Sequence, residues 1–240
     1  MRREVEEQVT GMAREKGPEA TKTPIRVRMR DHSLQGDLGV PAEPHGIVLF
    51  AHGSGSSRHS PRNQYVAQAL ERRDLATLLI DLLTPEEEVI DDRTAQYRFD
   101  IPLLADRLVM IVDWLRDQRN TASLPIGLFG ASTGGGAALM AAADRPDEIA
   151  AVVSRGGRPD LAGAALAKVK TPTLLIVGGL DTPVIQMNRD AMRQMRAEVK
   201  LEIVPGATHL FEEHGALERV AELAGEWFAR YLQRASVHQD

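Results

Sequence analysis

Residues 128–136 read LFGASTGGG. A short apolar run, Leu128-Phe129, meets Gly130-Ala131-Ser132-Thr133-Gly134, and Gly135 and Gly136 follow. The spacing Gly-x-Ser-x-Gly fits a reactive serine on a strained strand-to-helix turn. It equally fits a glycine-rich connection with an incidental serine. The stretch cannot decide between them by itself, so the decision rests on whether the rest of the chain supplies a base, an acid and an oxyanion site in a workable order.

The surrounding chain sets the frame. It has 240 residues, 43% hydrophobic and 26% charged, which suits a packed core and argues against disorder. Residues 1–20 read as an N-terminal extension, helical or loose, and residues 21–240 as one α/β domain. A net charge of −5 argues against nucleic acid as a partner, because phosphate binding needs a basic face. No run approaches the roughly 18 apolar residues of a membrane span. The N-terminus MRREVEEQVTGMAREKG is charged throughout and lacks the apolar stretch of a secretory signal. The expected location is cytoplasmic. With no cysteine, disulfides, thiolate metal sites and a cysteine nucleophile are all excluded.

Around the opening motif the pattern is that of a parallel sheet. GIVLFAHG (46–53), LATLLIDL (75–82), LPIGLFGA (124–131), IAAVVSRGG (149–157), PTLLIVGG (172–179) and VKLEIVPGA (199–207) are short, nearly continuous apolar runs. Strands covered on both faces look like this. Helical stretches separate them, ending in GALERVAELAGEWFARYL, where Leu217, Val220, Leu223, Trp227 and Tyr231 recur at helical spacing. Ahead of these, PIRVRMR and SLQGDLGVP alternate and read as an antiparallel hairpin across Asp31-His32. The fold class is therefore α/β, a doubly wound and mostly parallel sheet flanked by helices. The connections are short except residues 83–99, which leaves no room for a large cap domain.

Ligands of such sheets sit at the carboxyl ends of the strands. There the chain places AHGSGSS, GASTGGG, GGLDTP and GATHLF in turn. Ser132 is the candidate nucleophile, His209 its base and Asp181 the acid that orients the imidazole. The order Ser132, Asp181, His209 is the one this architecture uses. The amides of Ser54 and Thr133 are the candidate oxyanion hole, Thr133 at the positive end of the helix that follows the serine. Phosphate-loop and dinucleotide readings fail: GASTGGGA lacks a Lys-Ser/Thr ending, and Arg58 stands where a dinucleotide fingerprint needs glycine.

VLFAHGSGSSRHSPRN, GLFGASTGGGAAL, LLIVGGLDTPV and GATHLFEE together resemble the α/β-hydrolase superfamily, in its dienelactone-hydrolase-like branch. The resemblance covers roughly residues 24–234. It implies a serine esterase acting on a small ester or lactone, with neither metal nor organic cofactor. Dienelactone hydrolases in the strict sense use a cysteine nucleophile. Ser132 stands in that place here, which favours a carboxylesterase.

Several residues admit a second role. His214 is a second candidate base, and Asp160 a second acid that more naturally caps a helix beginning LAGAAL. Arg58, Arg155 and Arg158 are candidate substrate-binding residues, able to grip a carboxylate bidentately. An acyltransferase or peptidase would use the same triad, and a non-catalytic binding module would keep the fold without it. A monomer and a homodimer are both compatible with the sequence.

Overall fold

Apolar strands buried on two faces need a helical layer on each side, and the chain provides both. The structure, a computed structural model, describes residues 20–29 and 31–233. The expected N-terminal extension falls outside these residues except for Ala20. In chain order the elements are β1 (Thr21–Arg28), β2 (Ser33–Val40), β3 (Gly46–Ala51), α1 (Pro61–Glu71), β4 (Leu75–Ile80), α2 (Pro85–Thr94), α3 (Ile101–Asp117), β5 (Ile126–Ala131), α4 (Thr133–Asp144), β6 (Ile149–Arg155), a 3-10 segment (Pro159–Lys168), β7 (Thr173–Gly178), α5 (Thr182–Met192), β8 (Val199–Val204) and α6 (Ala216–Tyr231).

The eight strands form one sheet in the order β1-β2-β4-β3-β5-β6-β7-β8. The β1–β2 hairpin pairs Arg28 with Ser33, and β2 joins β4 antiparallel; every other pairing is parallel. This is the eight-stranded, mostly parallel sheet of the α/β-hydrolase fold. Side-chain alternation sorts the apolar runs between two cores. In β3, Ile47 and Leu49 pack with residues of α3 and α4, including Leu108, Ile111 and Leu139. Val48 and Phe50 face the other way, toward Val66 of α1 and Trp227 and Phe228 of α6. One strand differs from expectation. VKLEIV reads as a buried run, yet β8 is an edge strand and of its residues just Val204 is buried. With one sheet edge open, Lys200 and Glu202 pair with each other at 2.7 Å.

The helix starts are written locally. Ser60 and Asp100 cap α1 and α3 and accept from the Asn63 and Leu103 amides. Thr84 and Glu87 form a reciprocal capping box for α2, with Pro85 in the first turn. Glu87 is also gripped by Arg107 of α3 at 2.7 and 2.5 Å, which ties the 83–99 connection to the body of the fold. Burial raises the Glu87 carboxyl, but the Arg107 and Thr84 hydrogen bonds outweigh it and hold the group below its usual range. Among the described residues no helix is long and apolar enough to cross a membrane. Asp160 does not cap the 3-10 segment. Arg158 stands at the cap position, and Asp160 pairs with it from inside the first turn.

Two constraints fix the ground on which the strand-end loops stand. The first is the approach of α4. A Cβ on Gly134 would overlap the carbonyl oxygens of Ala51 and His52, and one on Gly130 would come within 2.5 Å of the Gly134 carbonyl. The second is buried His52. The Leu82 amide donates to His52 Nε2 at 3.0 Å, so the proton of the neutral ring sits on Nδ1, 3.0 Å from the Gly53 carbonyl. Burial holds this imidazole below the ordinary histidine value of 6.5, more strongly than the Gly53 carbonyl and Asp81 raise it.

Both constraints are measurable. Gly134→Ala forces α4 away from β3 and lowers unfolding free energy by about 1–3 kcal/mol in urea titration; a midpoint equal to the wild type means the helix can back away freely. For His52, the unfolded chain takes up a proton below about pH 6.5 while the folded chain resists it, so stability falls with pH in that window. In His52→Gln the fall between about pH 7 and pH 5 should be shallower, measured against that variant's own neutral value. Equal slopes would show that His52 is not the group responsible.

Candidate active site

The turn between β5 and α4 is strained where the sequence reading expects it. Ser132 has φ 49° and ψ −120°, a left-handed backbone for a non-glycine residue. Such a conformation costs on the order of 1–3 kcal/mol and persists where the surroundings over-determine it. They do: the Ser132 amide donates to the Arg155 carbonyl at 3.2 Å, and its own carbonyl accepts from the amides of Gly135 and Arg158, both at 3.0 Å. Ser132 stands at the cap position of α4, but its side chain makes no cap hydrogen bond. The hydroxyl is left for other work.

Asp181 repeats that pattern. It occupies the cap position of α5, where an aspartate ordinarily accepts from the first helical amides. No such bond forms. Its Oδ2 lies 2.7 Å from His209 Nδ1 instead. The loop carrying His209 is pinned on both sides. Thr208 donates to Glu213 at 2.6 Å, and Phe211, at φ 56°, buries its ring in the core. His209, not His214, therefore meets the acid; His214 is exposed.

The turn of Ser132 and the loop of His209 both border the end of β6. The Arg155 carbonyl holds the Ser132 amide, and a Cβ built on the next residue, Gly156, would lie 3.5 Å from His209 Cε1. Gly156 adopts φ 52°. A side chain there would be strained and would press on the imidazole.

On the other side of Ser132 runs the loop after β3. A Cβ on Gly53 would come within 3.1 Å of Ser132 Cβ. The Ser54 amide donates to Thr133 Oγ1 at 2.9 Å. Both candidate oxyanion residues thus meet directly, through a side chain that the sequence reading did not consider. They border a cavity of about 300 Å3, roofed by Leu83, Glu88, Asp91, Asp92, Arg98 and Leu104. Burial and the carboxylates of Asp81 and Asp92 raise Glu88 above its usual range. Asp91 is itself buried and receives the Tyr97 and Arg98 amides and Arg98 Nε at 2.7, 3.0 and 2.5 Å.

The three arginines singled out from sequence all have other partners. Arg58 pairs with Asp81, lies 3.5 Å from Asp37 and reaches Gln35. Arg158 is held bidentately by Asp160 at 2.9 and 2.7 Å. Arg155 is buried against the Phe211 ring, 5.8 Å from its centroid, and donates to Asn63 at 3.3 Å. Burial and nearby Arg62 lower its guanidinium to about 10. None of the three lines the cavity beside Ser54; Arg98 does. The sequence carried a signal for this roof in Thr84-Pro85-Glu86-Glu87, a capping box opening a helix within the long 83–99 connection. It carried none for the Asp91–Arg98 contact.

Known proteins resemble this chain in sequence and in structure. A model of the dienelactone hydrolase family matches residues 63–234. The crystal structure of a dienelactone hydrolase from Anabaena variabilis is 60% identical, with a TM-score of 0.88 over 90% of this chain and 100% of that one. Est1E from Butyrivibrio proteoclasticus shares the fold at 18% identity, with a TM-score of 0.72 over 86% of this chain and 98% of its own. Proteins from two strains of Mycobacterium tuberculosis, named as phosphoribosyl transferases, are 59% identical over 199 residues. That match takes in 83% of this chain but 44% of each relative, so the chain spans less than half of their length. From a family model spanning most of the chain and a solved relative at 60% identity, the conclusion follows that this chain belongs to the dienelactone hydrolase family.

Proposed function

We propose that the chain is a serine hydrolase that cleaves small ester or lactone substrates through an acyl-enzyme. Ser132 Oγ attacks the carbonyl as His209 takes its proton, and Asp181 holds the imidazole in the tautomer that leaves Nε2 free to accept. The Thr133 amide donates to the oxyanion, and Ser54, the other candidate, stands beside it with its own amide on Thr133 Oγ1. His209 then protonates the leaving alcohol and activates the water that releases the acid. The observation that carries this reading is the 2.7 Å contact between His209 Nδ1 and an Asp181 carboxylate that declines to cap its own helix. The partnered arginines argue against a substrate carboxylate gripped by Arg58 or Arg158. The transferase in the mycobacterial relatives' name is said of proteins of which the match takes in 44%.

The test is turnover of short p-nitrophenyl esters and lactones by the purified chain. Ser132→Ala should abolish hydrolysis and labelling by a fluorophosphonate probe while the variant stays folded. Asp181→Asn should lower kcat by about 1,000- to 10,000-fold, because the wrong imidazole tautomer is stabilised. His214→Ala should behave as the wild type. Retained turnover in Ser132→Ala, or a collapse in His214→Ala with none in His209→Ala, would overturn the assignment.

A further inference from the structure

The contact between Ser54 and Thr133 has a direction. A threonine hydroxyl offers one proton and two acceptor lone pairs. One lone pair takes the Ser54 N–H at 2.9 Å, so the hydroxyl proton points away from Ser54. In the body of a helix that proton would go to a carbonyl one turn back. Thr133 is the first residue of α4, and one turn back lies β5, whose carbonyls serve the sheet. Thr133 is 3% exposed and borders the cavity beside Ser54.

The orientation of Ser54 is also imposed. Carbonyl and amide of one trans peptide point in opposite directions. His52 Nδ1 and the Ser56 amide both donate to the Gly53 carbonyl, at 3.0 and 3.2 Å, and so hold the Ser54 N–H on the opposite side, toward Thr133. The Thr133 amide, at the start of α4, has no partner within its own helix. Residue 133 thus carries an amide donor and a hydroxyl donor side by side, next to Ser132.

We propose that the Thr133 hydroxyl is a catalytic donor of the site. Ser54 N–H donates to Thr133 Oγ1, and the Thr133 hydroxyl and amide together donate to the oxyanion that forms on the substrate carbonyl. The proposal rests on the hydrolase reading above and deepens it: Ser54 acts through the Thr133 side chain. A hydroxyl that accepts a hydrogen bond is polarised into a stronger donor. Its proton stays on Oγ1 throughout; no bond to Thr133 forms or breaks, and the proton transfers remain those of Ser132 and His209.

The experiment compares wild type, Thr133→Val and Thr133→Ser in steady-state hydrolysis of a short aryl ester. Inhibition by phenylboronic acid, which forms a tetrahedral adduct on a serine nucleophile, is measured in parallel. Loss of the hydroxyl in Thr133→Val should lower kcat by about 10- to 100-fold with KM nearly unchanged, at the low end for loss of one oxyanion donor because the Thr133 amide remains. The boronate should weaken by a similar factor, a readout that a role in packing alone would not move. Thr133→Ser, which restores the hydroxyl, should recover most of the rate. Thr133→Ala serves in place of Thr133→Val if the latter does not fold. A Thr133→Val rate within twofold of the wild type, or a Thr133→Ser as slow as Thr133→Val, overturns the proposal. A faster Thr133→Val overturns it too, because the hydroxyl would then be competing for the Ser54 N–H. In each of these cases Ser132-dependent turnover by the wild type leaves the hydrolase reading standing. A wild type that neither turns over esters nor binds the boronate removes both.

Discussion

The site depends on how closely α4 starts against the sheet. Gly134 lies where any side chain would strike the carbonyls of Ala51 and His52, and Gly130 lies under the Gly134 backbone. The first turn of α4 is therefore wedged between the ends of β3 and β5. Its amides and positive dipole end lie at the point where the β3 loop turns back. From that closeness follow the Gly53–Ser132 approach and the Ser54–Thr133 hydrogen bond. A helix starting one residue later, or held off by a Cβ, would leave Ser54 and Thr133 facing separate solvent.

Carboxylates around the strand ends take distinct partners. Asp81 binds the Arg58 amide and guanidinium, which fixes the far end of the glycine-rich loop. Asp91 gathers the 97–98 backbone and the Arg98 side chain into the cavity roof. Asp160 neutralises Arg158, and the hydrogen bonds between them raise that guanidinium further despite partial burial. Asp181 is held neither by an arginine nor by its own helix, and it faces an imidazole. A carboxylate spent on a guanidinium would orient a histidine poorly; this one is free to do so.

Much of this arrangement was legible in the sequence, for reasons that differ by residue. The apolar runs and the glycine pattern report burial and close approach, which are local consequences of composition, so the parallel sheet and the turn at Ser132 could be read directly. Asp181 and His209 could be named because each follows a strand, and the fold sends strand ends to one edge. β8 misled because VKLEIV has the composition of a covered strand, while among the described residues no strand pairs with its outer side. The arginines misled for another reason. Arg58 and Arg158 stand beside the right loops, but a guanidinium's partner is chosen in three dimensions, and Asp81 lies 23 residues from Arg58. Arg98 and Asp91 escaped notice because their contact is created by the turn at Ala95, in left-handed conformation at φ 55°.

The same logic explains why backbone strain accumulates at this edge. Ser132 and Phe211, both in the left-handed region, lie on either side of Arg155. The Arg155 carbonyl fastens the Ser132 amide, and its guanidinium lies over the Phe211 ring. A buried guanidinium beside Asn63 and an aromatic face, rather than a carboxylate, is costly, and its lowered affinity for a proton records that cost. Its return is rigidity. One residue couples the turn of Ser132 to the loop of His209, through a backbone carbonyl at one end and a packed side chain at the other. The Ser132 turn and the His209 loop are thus both anchored at the end of β6.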